Sequence, residues 1–248
     1  MMINNLEALK KVRNELTRFM MTYQFGLSEM NTKLTILQEE FQHIHDYNPI
    51  EHIKTRIKSP ESIMKKMYRK KIPISTETIK NSIMDIAGIR VVCSFISDIY
   101  RISEMIENQK DVTVIEKKDY IKDAKPNGYK SLHLIVSVPV FMSDRIEDVY
   151  VEIQIRTVAM DFWASLEHKI YYKYDRVIPE RLTKELTEAA MVANDLDEKM
   201  EQLHNEISHI KDQHNEEQDL NFLDLNEDRL YLPINFLKDF IKDDEEGK

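Results

Sequence analysis

Val149-Tyr150-Val151-Glu152-Ile153-Gln154-Ile155-Arg156 alternates between apolar and polar side chains from Val151 to its end. A period of two puts Val151, Ile153 and Ile155 on one face of a β-strand and Glu152, Gln154 and Arg156 on the other. One face can bury itself while the other presents an anion, an amide and a cation together. Taken alone, the pattern also fits an ordinary half-solvated strand.

The same alternation recurs upstream in Leu132, Leu134, Val136 and Val138, and Ile86 to Phe95 is a β-branched apolar run that reads as a buried strand. Val112 to Tyr120 reads as a shorter strand, with a helical stretch near Asp98 to Gln109 before it. Strands interleaved with helices predict a sheet with helices packed against it, an α+β or mixed α/β domain. On either side of this region the period becomes helical. Leu16, Phe19, Tyr23, Leu27, Met30, Leu34, Leu37, Phe41 and Ile44 line one face of a long N-terminal helix, which Asn48-Pro49 ends. A second helix is expected to start with Ser59 as N-cap and Pro60 in its first turn, turning Ile63, Met64 and Met67 inward. After Pro179, the residues Leu182, Leu186, Ala189, Ala193, Leu196, Met200, Leu203, Ile207 and Ile210 keep a heptad repeat. Packing against the N-terminal helix and oligomerisation both fit this seam. The acidic end, interrupted by Phe222, Leu225, Leu230, Leu232, Phe236 and Phe240, fits either a docking tail or a final helix.

Charge narrows the function. The chain has 248 residues and a formal charge of -9, which argues against wholesale binding to nucleic acid or membrane surfaces. No basic, apolar leader opens it, and no apolar run approaches the roughly 20 residues of a membrane span, so a cytoplasmic protein is expected. The single Cys93 lies in an apolar run and reads as a core residue. With only four glycines and no glycine-rich loop, any phosphate must be held by Lys and Arg side chains.

Candidates for that task cluster. Against the acidic balance, Lys54 to Lys71 holds Lys54, Arg56, Lys58, Lys65, Lys66, Arg69, Lys70 and Lys71 with one acid, Glu61. Arg56, Lys58 and Lys66 flank a helix start, which itself favours anions. Asp85 enters a buried strand, a costly place for a carboxylate unless it is paired or holds a metal. Should that strand neighbour the one carrying Glu152, the two carboxylates could share Mg2+, which takes one or two carboxylates plus phosphate oxygens and water. Lys125-Pro126-Asn127-Gly128-Tyr129-Lys130-Ser131 reads as a turn presenting an aromatic ring between two cations, with His133 following. His45-Asp46, His204 and His209 read as structural. Two other readings remain open on these residues: a helical oligomer whose basic patch contacts RNA, and a nucleotidyltransferase with another acceptor.

Together the segments Arg56 to Ile63, Asp85 to Arg90, Lys125 to His133, Glu152 to Thr157 and Ala159 to Lys169 resemble, in order and spacing, the synthetase domain of the RelA/SpoT family. The likeness is to its stand-alone small alarmone synthetases of the RelP type and covers roughly residues 10 to 205. It implies an α+β fold with a mixed five-stranded sheet flanked by helices, similar to nucleotidyltransferases, with long N- and C-terminal helices. Expected divisions are an N-terminal helical segment (1–48), a catalytic core (49–178), a heptad-patterned helix (179–215) and an acidic tail (216–248). The implied reaction moves the β,γ-pyrophosphate of ATP to the 3′-hydroxyl of GDP or GTP, releasing AMP, in the stringent response. Asp85 and Glu152 would hold Mg2+, with Glu152 also accepting the hydroxyl proton. Arg56 and Arg90 would sandwich adenine, and Lys58, Ser62 and Lys66 would hold the ATP phosphates. Tyr129 would stack on guanine, with Lys118, Lys125 and His133 near the guanosine phosphates, Gln154 near the acceptor, and Asp161 and Glu167 positioning the nucleotide. A homotetramer is implied, as are ATP and GDP or GTP as partners, no obligate nucleic acid and no alarmone hydrolysis. Lys130 departs from the family's frequent Arg, which weakens any bidentate phosphate contact.

Overall fold

The computed structural model describes residues 2–45, 47–73, 75–171, 179–213, 222–225 and 228–231. Its centre is a five-stranded sheet of β1 (Ile50–Ile57), β2 (Ala87–Cys93), β3 (Thr113–Asp119), β4 (Leu132–Phe141) and β5 (Ile146–Thr157), in the spatial order β1-β2-β5-β4-β3. β2 and β5 run parallel at the middle and every other pair is antiparallel, so the sheet is mixed. The alternation of the central strands therefore has its expected cause: Val149, Val151, Ile153 and Ile155 are buried.

The long helix α1 (Met2–Ile44) covers that apolar face. It comes so close that a Cβ added to Gly26 would meet Val149 Cγ1 at 2.6 Å. Phe19, Tyr23, Leu27, Met30, Leu34 and Phe41 are buried there, whereas Leu16 and Ile44 at the ends of the stripe are exposed. Each aliphatic side chain fully buried in this way stabilises the fold by about 1.5–3 kcal/mol. Helix α2 (Pro60–Lys70) starts as expected, with Ser59 Oγ accepting from the Ser62 amide and Pro60 in the first turn; Ile63 and Met67 are buried and Met64 half-buried. Helices α3 (Thr76–Ser82) and α4 (Ile96–Glu107) add Ile79, Ile99, Ile102 and Ile106 to the same core. Helix α5 (Val158–Tyr171) continues directly from β5, Thr157 Oγ1 accepting from the Met160 amide at 3.1 Å.

Helix α6 (Glu180–Gln213) carries the heptad pattern, but α1 is not among its main packing partners. Among the helices its main contacts are with α5 and α4: Ala190 and Asp197 are buried, whereas Leu196, Met200, Leu203, Ile207 and Ile210 stay 43–56% exposed. Trp163 on α5 donates its indole N–H to Leu186 O at 3.1 Å, fixing the two helices together. Of the acidic end, residues 222–225 and 228–231 form a two-stranded antiparallel pair, β6 (Phe222–Leu225) and β7 (Asp228–Tyr231), so that part is not a helix. Leu232, Phe236, Phe240 and Asp46 lie outside the described residues. No described helix is long and apolar enough to cross a membrane.

Candidate active site

The face of the sheet opposite α1 gathers the candidates. Backbone register alone aligns Lys54, Arg90, Gln154, His133 and Lys118 in one cross-strand row over all five strands. Side chains of paired residues project from the same face. The next row sets Arg56 opposite Gly88 and Gly88 opposite Glu152. Gly88 leaves the space that the Arg56 side chain crosses: a Cβ there would lie 3.1 Å from Arg56 Nε. Lys54, Arg56, Gly88, Arg90, Glu152 and Gln154 line a cleft of about 200 Å³. A larger cavity of about 630 Å³, between α1 and the β4–β5 turn, is lined by neither Asp85 nor Glu152.

Glu152 lines this cleft, and Asp85, outside its lining, stands near enough for its charge to act on Glu152. Asp85, just before β2, accepts from Lys58 Nζ at 2.5 Å and Lys66 Nζ at 2.7 Å, both on the same Oδ2 atom. Burial pushes its carboxyl up, but the two ammonium groups prevail and hold it below its ordinary value. Lys58 is pulled down by burial against the attraction of Asp85. Glu152 is likewise pushed up by burial and then carried below its ordinary value by His133 and Arg56, with Asp85 opposing them. Arg56 Nη2 lies 3.3 Å from Glu152 Oε2, Gln154 donates to the same oxygen at 2.9 Å, and His133 Nδ1 lies 3.6 Å from Oε1.

The donor set fits a hard divalent cation. Asp85 Oδ1 is buried without a hydrogen-bond partner, and Glu152 is near enough to feel its charge. Among the described residues no group of three or more His, Cys, Asp or Glu side chains gathers. A cation here would have two protein carboxylates and would complete its shell with phosphate oxygens and water, as Mg2+ does.

The other candidates surround the Lys125–Ser131 turn. Gly128, at φ +86°, makes it possible, and a Cβ there would lie 2.5 Å from the Ala190 Cβ of α6. Lys130, expected near phosphate, instead hydrogen-bonds Asn194 on α6. Tyr129 OH shares a 2.8 Å hydrogen bond with His133 Nε2, and Lys125 Nζ stands 4.6 Å from the Tyr129 ring centre. Glu167 on α5 accepts from Asn127 of the turn at 3.3 Å. Asp161 Oδ1 pairs with Arg90 at 3.0 Å and Arg156 at 3.2 Å. Ser62 lies in the exposed first turn of α2, its Oγ 2.9 Å from Ser59 Oγ, and Lys118 is exposed and paired with Glu116.

Sequence reasoning names two residues without their place in the site. Lys54 belongs to the central row, and its place two residues before Arg56 was the available signal. Arg156 was read as one member of a polar strand face, yet its side chain is 5% exposed and makes four polar contacts. The Asn194 and Ala190 contacts come from a distant helix and have no local signal.

Comparison with known proteins agrees with this geometry. Residues 55–177 match the region found in RelA / SpoT proteins. The GTP pyrophosphokinase YwaC of Bacillus subtilis (strain 168) is 50% identical over 198 residues, covering 80% of this chain and 94% of that protein. Small alarmone synthetase 2 from Bacillus subtilis is similar in structure, with a TM-score of 0.71 and 48% identity over 77% of this chain and 99% of that one. Small alarmone synthetase 1 from the same organism, bound to its product pppGpp, gives a TM-score of 0.73 at 39% identity over 78% of this chain and 98% of that one. A mixed sheet in this order, a cationic row in place of a glycine loop, and near-complete coverage of these relatives lead to one assignment: the chain belongs to the RelA/SpoT family, with its small alarmone synthetases.

Proposed function

We propose that this protein is a RelP-type alarmone synthetase that transfers the β,γ-pyrophosphate of ATP to the 3′-hydroxyl of GDP or GTP and releases AMP. The observation that carries the reading is the parallel register of β2 with β5, which sets Glu152 opposite Gly88, three residues from Asp85, in the row beside the cationic one. The names of YwaC, a GTP pyrophosphokinase, and of a relative bound to pppGpp support it.

The residues divide the work by charge. Arg56 and Arg90 flank the cleft with guanidinium planes suited to stacking on adenine. Lys58 and Lys66, resting on Asp85, exchange that carboxylate for triphosphate oxygens when ATP enters, and Ser62 adds a donor at the start of α2. This frees Asp85 to act with Glu152 on a cation. The chemistry supplied by bound Mg2+ is neutralisation of charge on the phosphate oxygens. Tyr129 stacks on guanine, Lys118, Lys125 and His133 meet its phosphates, and Gln154 and Asp161 orient the acceptor, with Glu167 bracing the turn through Asn127. Glu152 takes the 3′-hydroxyl proton as that oxygen forms its bond to the β-phosphorus of ATP. The bond from the β-phosphorus to the α–β bridging oxygen breaks, and AMP leaves with that oxygen. Positioning and charge neutralisation account for most catalysis in such transfers.

The stringent response, a cytoplasmic location and the absence of alarmone hydrolysis belong to the same reading. So does a homotetramer, supported by the half-exposed apolar stripe of Leu196, Met200, Leu203 and Ile207 on α6. The test is incubation with ATP, Mg2+ and either GDP or GTP, followed by anion-exchange separation. AMP formed in step with a more highly phosphorylated guanosine nucleotide supports the proposal; nucleotide binding without either product overturns it.

A further inference from the structure

Arg156 is an arginine in an unusual place. It lies at the end of the polar face of β5, opposite Val92 of β2, and is almost fully buried. A buried guanidinium persists only where its N–H groups are satisfied. Here Nε donates to Ser131 Oγ at 3.3 Å, Nη1 to Asp161 Oδ1 at 3.2 Å, and Nη2 to both Tyr129 OH at 2.5 Å and Gln154 Oε1 at 2.8 Å. Its carbon also stands 5.0 Å from the Tyr129 ring centre.

The direction of these bonds has a chemical consequence. A guanidinium only donates, so the Tyr129 oxygen must accept from Arg156, and its own proton is free to go elsewhere. The acceptor within reach is His133 Nε2, at 2.8 Å. A neutral imidazole that accepts at Nε2 carries its proton on Nδ1, and His133 Nδ1 is the atom facing Glu152 Oε1, 3.6 Å away. Gln154 closes the ring: its Oε1 accepts from Arg156 while its Nε2 donates to Glu152 Oε2. Arg156 thus reaches Glu152 by two routes without touching it.

We propose that Arg156 is a positioning residue that orients Tyr129, fixes the proton of His133 on Nδ1, and so holds Glu152 and the guanosine site in one register. The proposal rests on the synthetase reading for the roles of Tyr129 and Glu152. Lysine cannot replace Arg156, because one ammonium lacks the planar fork that meets Tyr129, Gln154 and Asp161 at once.

The experiment uses the full chain, with Arg156→Lys, Tyr129→Phe and the double variant. Tyr129→Phe keeps the ring and removes only the relay oxygen, so it remains informative if Arg156→Lys fails to fold. Each single variant is expected to raise KM for GDP or lower kcat by about tenfold, the effect of one buried hydrogen bond to a charged group. Binding of a non-transferable ATP analogue should stay within twofold of the parent protein. The double variant should be no worse than the poorer single one, because both break the same link. Nitrogen NMR should find His133 protonated on Nδ1 in the parent protein and a mixture of tautomers in Tyr129→Phe. A His133 protonated on Nε2 in the parent protein, unaltered kinetics in both single variants, or an equal loss of ATP-analogue and guanosine binding would each overturn the proposal. Tyr129→Ala separates the two readings. If removing the ring leaves guanosine binding intact, the guanosine-site reading fails, and the proposal fails with it. If Tyr129→Ala weakens that binding while Tyr129→Phe and Arg156→Lys do nothing, the positioning role alone fails.

Discussion

Gly88 stands directly opposite Glu152 in the parallel pairing of β2 with β5. That register is the hinge of the functional account. It puts the approach to β2, and with it Asp85, beside the strand that carries Glu152. Gly88 also lets Arg56 lie across the cleft from the neighbouring edge strand.

Glu152→Gln keeps the side chain's shape and removes its charge. Synthetase turnover is expected to fall by about a thousandfold, as for loss of a positioned base that also serves as a cation ligand. Steady-state AMP formation measures it, with the melting temperature confirming that the variant is folded. Full turnover by the folded variant would contradict the assignment.

Asp85→Asn leaves Lys58 and Lys66 facing an amide instead of a carboxylate. The Mg2+ concentration needed for half-maximal activity is expected to rise sharply as kcat falls. A Mg2+ titration of activity checks this. An unchanged half-maximal concentration would remove Asp85 from the cation site.

Gly128→Ala places a side chain at φ +86° and drives its Cβ against Ala190 of α6. The left-handed backbone alone costs about 1–2 kcal/mol. KM for the guanosine nucleotide should rise more than KM for ATP, because the displaced turn carries Tyr129. Parallel changes in both constants would show that α6 does not brace the guanosine side specifically.

Asp197 supplies a pH dependence. Burial, with Glu201, pushes its carboxyl up to about 6, against the pull of the Thr157 hydroxyl, which donates to it at 2.5 Å, and of Lys130. The ordinary value is 3.8, so on raising the pH the unfolded chain gives up this proton first. Its contribution to stability is therefore full below the ordinary value, declines as pH rises towards about 6, and is level above that. Asp197→Asn should gain in melting temperature relative to the parent protein across that interval. A difference that is flat with pH would contradict the account.

How much of this was legible in the sequence depends on how local the signal is. The alternation of Val151 to Arg156 announced both the strand and its polar face, because a period of two needs no partner to be read. Edge strand β1 escaped. A bulge between Ile50 and His52 breaks its alternation, and Ile50, Ile53 and Ile57 then imitate helical spacing inside what looked like a plain basic run. The carboxylates and most of the cationic residues were visible as residue types at telling positions. The buried bonding of Arg156 was not, since only the fold brings Ser131, Tyr129 and Asp161 to it. The α6 heptad was visible, but the contacts of Ala190, Asn194 and Asp197 show that a second side of that helix braces the site.

The most direct test of the central claim follows the β-phosphate. The protein is given Mg2+, GDP and ATP labelled only at its β-phosphorus, and the nucleotides are separated. Transfer of an intact pyrophosphate at the Asp85–Glu152 site should put the label in the guanosine product and leave AMP unlabelled, with both products formed about a thousandfold more slowly by Glu152→Gln. Label accumulating in ADP, with no labelled guanosine product, would contradict it.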